Sequence, residues 1–187
     1  MTLYDAALSY KELMQHRYTF LLGHKGKSEN LVLSFPKENF HHLAGLHKKN
    51  IERFKNKKSA FDQVLQGDQL VYGDIPDELT DRWNCICSLK ALIESNNLVF
   101  RLQKHQLPGS SIKSDYILSD NVILFFIDDS EPVSIFTARK HQLDNLNRCM
   151  KMKTLMISKE NIHDGTCETI FVSHSYKKSL AQKNLPS

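Results

Sequence analysis

At Leu98 the hydrophobic period of this chain changes, and that change limits the folds open to it. Upstream, between Asp77 and Asn97, Leu79, Trp83, Ile86, Leu89, Leu92 and Ile93 recur every three to four residues. This is the apolar stripe of an amphipathic helix. Acidic residues open it and Asn96–Asn97 close it. Downstream come short runs of branched and aromatic residues: 98–102, 116–118, 122–127, 133–137, 154–157 and 169–172. Turns rich in Gly, Ser, Asp and Asn separate them, as expected for successive strands.

The N-terminal part alternates. Residues 4–17 carry Leu8, Leu13 and Met14 without Gly or Pro and predict a helix. Residues 18–22 and 31–35 are strand-like and flank Gly23-His24-Lys25-Gly26-Lys27, a hairpin signal. Pro36 ends the second strand, and Asn39 is placed to cap the next helix. There Phe40, Leu43, Ala44 and His47 share a face, later joined by Ile51 and Phe54. His42 falls at its border beside Leu46, and His41 points further outward. Ser59-x-x-Asp62 predicts a capping box for a short helix ending at Gly67-Asp68. Helices and a hairpin followed by a run of strands predict an α+β fold, with the helices against one face of an antiparallel sheet. We expect one domain over residues 1–175 and a basic, frayed tail over 176–187.

The length of 187 residues suits a single core. No apolar run approaches the roughly 20 residues that span a bilayer, and no secretory leader opens the chain, so no membrane and a cytoplasmic location are expected. Cys85, Cys87, Cys149 and Cys167 lack zinc-ligand spacing and read as reduced thiols, with Cys149 the one whose basic neighbours favour a thiolate. Neither a Walker loop nor a dinucleotide loop occurs, and His41, His42 and His47 do not give the pair of an H-E-x-x-H helix. No metal and no cofactor are expected. Charge is uneven although the net value is only +4. Residues 47–58 hold six Lys or Arg against one Glu, and residues 139–153 hold five against one Asp. Two such blocks can converge on a polyanion or remain solvated faces.

Phe35, Lys37, Asn39, Phe40, His42, Leu43, Gly45 and Leu46 form the pattern F-x-K-x-N-F-x-H-L-x-G-L after a strand. This pattern resembles a phage-type nuclease family of the barnase–EndoU–colicin–RelE-like fold, its fourth phage subgroup. The Tyr18–Leu22 strand, the helix of Arg82 and the strand Pro132–Phe136 match that layout over roughly residues 8–160. The resemblance implies helices against a curved antiparallel sheet, with the site on the open face. It also implies a metal-independent ribonuclease of phage or toxin-like origin.

Such an enzyme removes the 2′-hydroxyl proton of RNA, stabilises a phosphorane-like transition state and protonates the 5′-oxygen. It leaves a 2′,3′-cyclic phosphate and spares DNA. His42 is the expected general acid or base, although a His that fixes the helix on the sheet is the plain alternative. Arg139 and Lys153 are the expected charge stabilisers, and Ser134 a hydrogen-bond donor to phosphate. Lys48, Lys49, Arg53, Lys151 and Thr137 are the expected substrate contacts. Arg82 either binds phosphate or pairs with Glu78. Tyr72 could stack a base, whereas Trp83 belongs to the core stripe. The expected substrate is RNA, tRNA among the candidates, and an acidic antitoxin or immunity protein is a candidate partner. The rival reading is a non-catalytic RNA- or protein-binding module on the same scaffold.

Overall fold

The computed structural model describes residues 1–47, 54–67 and 77–183. Helix α1 (Leu3–Leu13) opens on a capping box in which Thr2 Oγ1 accepts from the Asp5 N–H and the Asp5 carboxylate accepts from the Thr2 N–H. It stops short of the predicted Arg17. His16 and Arg17 begin strand β1 (His16–His24) instead, because Asn161 and Glu160 supply their strand partners. Strand β2 (Lys27–Leu33) returns through a two-residue turn, Lys25 at φ 46° and Gly26 at φ 79°. Two successive positive φ values match the right-handed twist of a hairpin.

Three helices follow: α2 (Asn39–Leu43), α3 (Lys57–Leu65) and α4 (Asp77–Glu94). Two predicted caps are relocated. Asn39 does not cap α2; its side-chain amide donates to Glu131 at 3.0 Å. Asn56, not Ser59, caps α3 by accepting from the Lys58 N–H. Helix α4 buries the predicted stripe, with Cys85 in addition.

The remaining elements are β3 (Leu98–Arg101), β4 (Tyr116–Ser119), β5 (Ile123–Asp128), β6 (Glu131–Thr137), α5 (Lys140–Leu146), β7 (Met150–Asn161), β8 (Cys167–Val172) and α6 (His174–Lys183). Eight antiparallel strands form one sheet in the order β2-β1-β7-β3-β4-β5-β6, with β8 alongside β7. The long β7 ties the two halves together: its first residues pair with β3 and the rest with β1. The sheet curls without closing. Glu29 on β2 accepts from Arg101 on β3 at 2.6 Å and from the Tyr116 hydroxyl on β4 at 2.7 Å.

The main core lies between the helices and the inward residues Phe20, Leu22, Val99, Phe125 and Ile135. The opposite face of β3–β6 is not open. Phe100, Ile117, Leu124 and Phe126 pack there under Leu102, Leu107 and Leu146. Strand β5 is therefore buried on both sides, as its unbroken apolar run requires. Helix α5 provides part of this cover, so the basic block 139–153 is a helix and a strand start rather than a loop. The stretch expected as a frayed tail from Tyr176 carries most of α6. Among the described residues no helix is long and apolar enough to cross a membrane.

Candidate active site

The site begins where α2 ends. Gly45 has φ +75°, its N–H donates to the His42 carbonyl at 3.0 Å, and the Leu46 N–H donates to the His41 carbonyl at 2.9 Å. This paired closure needs a residue at ease with positive φ. It also brings the backbone against α4. A Cβ on Gly45 would sit 2.5 Å from Leu79 Cδ2 and 3.3 Å from Arg82 Cδ. The Trp83 indole N–H donates to the Ala44 carbonyl at 3.1 Å, and Arg82 Nη1 approaches the Leu43 carbonyl at 3.4 Å. The His-Leu-x-Gly-Leu motif is thus the joint that docks α2 on α4.

Most of the motif is committed to that architecture. Phe35, Phe40, Leu43 and Leu46 are buried. Lys37 pairs with Asp62 on α3, and Asn39 holds Glu131. The histidines reverse the expected order. His41 is the buried one, its Nε2 2.8 Å from the Phe54 carbonyl. It performs the helix-fixing task considered for His42. The helical face rotates because α2 closes after Leu43, so His47 is carried out into solvent as well. His42 is exposed and stacks on His47, with ring centroids 4.3 Å apart and planes 17° apart. Among the described residues His42 makes no side-chain hydrogen bond. Desolvation by its surroundings, then the Arg82 guanidinium and His41, hold its imidazole below the usual value of 6.5. Burial lowers His41 too, against the opposing pull of the Phe54 carbonyl.

Arg82 links His42 to a neighbouring cleft. It is half-buried, and its Nε is buried without a hydrogen-bond partner among the described residues. Burial lowers its guanidinium, while the charge of Glu78, one turn earlier, opposes this. Arg82, Thr137 and Arg139 line one cleft of about 480 Å³. Thr137 and Arg139 are exposed there, at the end of β6 and the start of α5.

The structure therefore brings together Arg82, Thr137 and Arg139, with His42 near enough to Arg82 for that charge to act on its imidazole. It does not bring Ser134, Lys151 or Lys153 to them. Ser134 is 2% exposed and pairs with Phe126, so it belongs to the second core. Thr137 lies three positions further on, and an odd spacing on a strand puts the two on opposite faces. Lys151 and Lys153 lie on β7, with β3, β4 and β5 between them and β6, roughly 19 Å along the sheet. Lys48, Lys49, Arg53 and Tyr72 lie outside the described residues.

The family described as phage Barnase–EndoU–Colicin E5/D–RelE-like nuclease 4 matches residues 2–178. The chain belongs to this nuclease family. No curated protein and no solved structure matches it. Membership implies a nucleic-acid substrate for a protein of this family.

Two further features of this family member bear on its chemistry. A cavity of about 410 Å³ beside His42 is lined by Asn39, Asp128, Asp129 and Glu131. Carboxylates there disfavour phosphate on that side, and the cleft of Arg82 has Glu78 and Asp81 on its own wall as well as the two arginines. Asp128 also completes a group with His105 and Asp115 whose ligand atoms lie within 4.8 Å of one another. His105 Nδ1 pairs with the Asp115 carboxylate. These three have the donor types for a divalent ion. Sequence reading missed them because three separate segments supply them. Cys149, expected as the thiolate-prone cysteine, is pushed up by burial and lies 3.6 Å from the Asn145 carbonyl, which removes it as a nucleophile.

Proposed function

We propose that this nuclease-family chain is a metal-independent endoribonuclease that cleaves RNA through its own 2′-hydroxyl. One observation carries the reading. Within the motif, His42 is exposed, stacks on His47 and makes no side-chain hydrogen bond among the described residues, whereas its neighbours are spent on packing or hydrogen bonds, and the charge of Arg82 acts on it. An imidazole held below its usual value is neutral at pH 7 and able to accept a proton. His42 would take the 2′-hydroxyl proton. Arg82 and Arg139 would offset the charge of the phosphorane-like transition state, and Thr137 would donate a hydrogen bond to a phosphoryl oxygen. The 2′-oxygen then bonds to phosphorus as the 5′-oxygen leaves and takes up a proton from water. Nothing in this scheme uses Ser134, and Lys151 and Lys153 would act only as remote substrate contacts. Inhibition by an acidic partner protein, and a cytoplasmic site of action, fit the same reading.

A second reading, a non-catalytic RNA- or protein-binding module, draws support from the carboxylates beside His42. The deciding experiment incubates the protein with total tRNA, a structured RNA and matched DNA in EDTA, beside His42→Ala. RNA cleavage to 2′,3′-cyclic ends that disappears in the variant supports the enzyme. RNA binding without cleavage in both proteins supports the module. Cleavage abolished by EDTA and restored by a divalent ion would refute metal independence and point to the His105 group.

A further inference from the structure

A cavity lies away from His42. It is a groove of about 750 Å³ between the β1–β2 hairpin, β7 and α6. Its basic lining is His24, Lys25 and Lys27 from the hairpin and Lys151 and Lys153 from β7, and Tyr176 of α6 forms part of its wall. No carboxylate lines it among the described residues. The nearest acid in the hairpin, Glu29, is engaged by Arg101 and Tyr116.

Local structure fixes this arrangement. The two-residue turn projects Lys25 and Lys27 on either side of Gly26, and all three are exposed. Lys151 and Lys153 are two apart on a strand, so both leave the same face, about 6.6 Å apart. Both are exposed, while the intervening Met152 is buried in the helix-side core. The groove is therefore on the face opposite α1–α4, the face that α6 flanks. Its floor is open because Gly23 has no side chain: a Cβ there would press on Leu155 at 3.0 Å. The far wall is positioned by Lys153 Nζ, which donates to Ser175 Oγ at 2.7 Å, and by His24 Nδ1, 3.2 Å from the Lys151 carbonyl.

We infer that this groove binds the phosphodiester backbone of a single RNA strand. The choice of RNA rests on the ribonuclease reading. Four ammonium groups without a facing carboxylate form an electrostatic track for a polyanion. A spacing of about 6.6 Å between Lys151 and Lys153 suits successive phosphates of an extended strand. Tyr176 and the amides of Asn96 and Asn97, which also line the groove, offer a stacking surface and hydrogen bonds to bases. A groove walled by the hairpin and α6 suits a strand better than a flat lipid surface. The groove would hold the substrate some distance along the chain from the bond cleaved at His42, so a short oligonucleotide could not use both sites.

The test is fluorescence anisotropy with a labelled 2′-O-methyl RNA oligonucleotide, which cannot be cleaved. The groove variant carries Lys25→Gln, Lys27→Gln, Lys151→Gln and Lys153→Gln. A control removes the same charge at Lys11, Lys104, Lys113 and Lys140. The groove variant should lose at least tenfold in affinity while the control stays within twofold. Its slope of log affinity against log salt should flatten by up to about 3, from ~0.7 per phosphate contact over four lysines. Affinity within twofold of the unaltered protein, or equal loss in the control, would overturn the inference. So would loss of binding to phosphatidylserine vesicles with RNA affinity intact. Because the probe cannot react, failure of cleavage elsewhere would count against the ribonuclease reading and leave the groove standing.

Discussion

Replacing Gly45 with alanine should cost far more than replacing Gly26, although both have nearly the same backbone conformation. Gly26 has φ +79° and Gly45 φ +75°, so each alanine pays the left-handed strain of about 1–2 kcal/mol. At Gly26 nothing lies within 4 Å of the new Cβ. At Gly45 it would meet Leu79 Cδ2 at 2.5 Å and Arg82 Cδ at 3.3 Å. Leu79 is 1% exposed, so it has little room to yield, and overpacking of this kind adds about 1–3 kcal/mol. The expected totals are about 1–2 kcal/mol for Gly26→Ala and about 2–5 kcal/mol for Gly45→Ala. The larger value is a substantial share of an ordinary domain's stability, ~5–15 kcal/mol. At about 2–4 °C per kcal/mol for a chain of this length, it lowers the melting temperature by about 4–20 °C. Urea titration followed by Trp83 fluorescence measures both, since Trp83 is the one tryptophan and is 3% exposed. Equal losses in the two variants, within about 0.5 kcal/mol, would refute the tight docking of the motif on α4. Arg82 would then not be held in place by that joint.

Three other outcomes follow from the same geometry. His41 and His42 are both held below the usual 6.5, so the unfolded chain takes up protons first as pH falls. Their contribution to stability is present above about pH 6.5 and is lost as pH drops through the folded values; urea midpoints at pH 7.5 and 5.5 should show this, and His41→Gln should reduce the difference. Arg82→Met removes the largest nearby charge acting on His42, so an NMR titration should show the His42 pKa rising toward the usual value, and any cleavage should shift its acidic limb upward in parallel. An unmoved His42 pKa would count against the coupling of the two residues. Alkylation mapped by mass spectrometry should label the exposed Cys167 first and the buried Cys85 last, with Cys149 slow because burial raises its thiol.

Much of the scaffold was legible because it depends on short-range pattern. The stripe of α4, the hairpin turn at Lys25–Gly26 and the strand runs after Leu98 all reflect periodicity or turn chemistry within a few residues. The family motif was legible too, and so was Trp83 in the core. The helix boundaries were less so. His16 and Arg17 are strand because Asn161 and Glu160, far along the chain, pair with them. Helix α5 was not legible, because its apolar side, Leu143 and Leu146, has meaning only against the second core.

The sequence by itself determined the period of each element and the residue types available for chemistry. Only the tertiary structure decided which of those residues meet. Arg82 joins Thr137 and Arg139 because α4 packs beside β6. Ser134 faces away because strand pairing fixes its side of the sheet, and Lys151 and Lys153 are separated because the order of strands places three others between. His41 and His42 exchange roles because one turn of helix ends at Gly45, whose bare backbone must fit against Leu79. Side-chain period is a local property of the chain, whereas convergence depends on contacts between residues that the sequence keeps far apart.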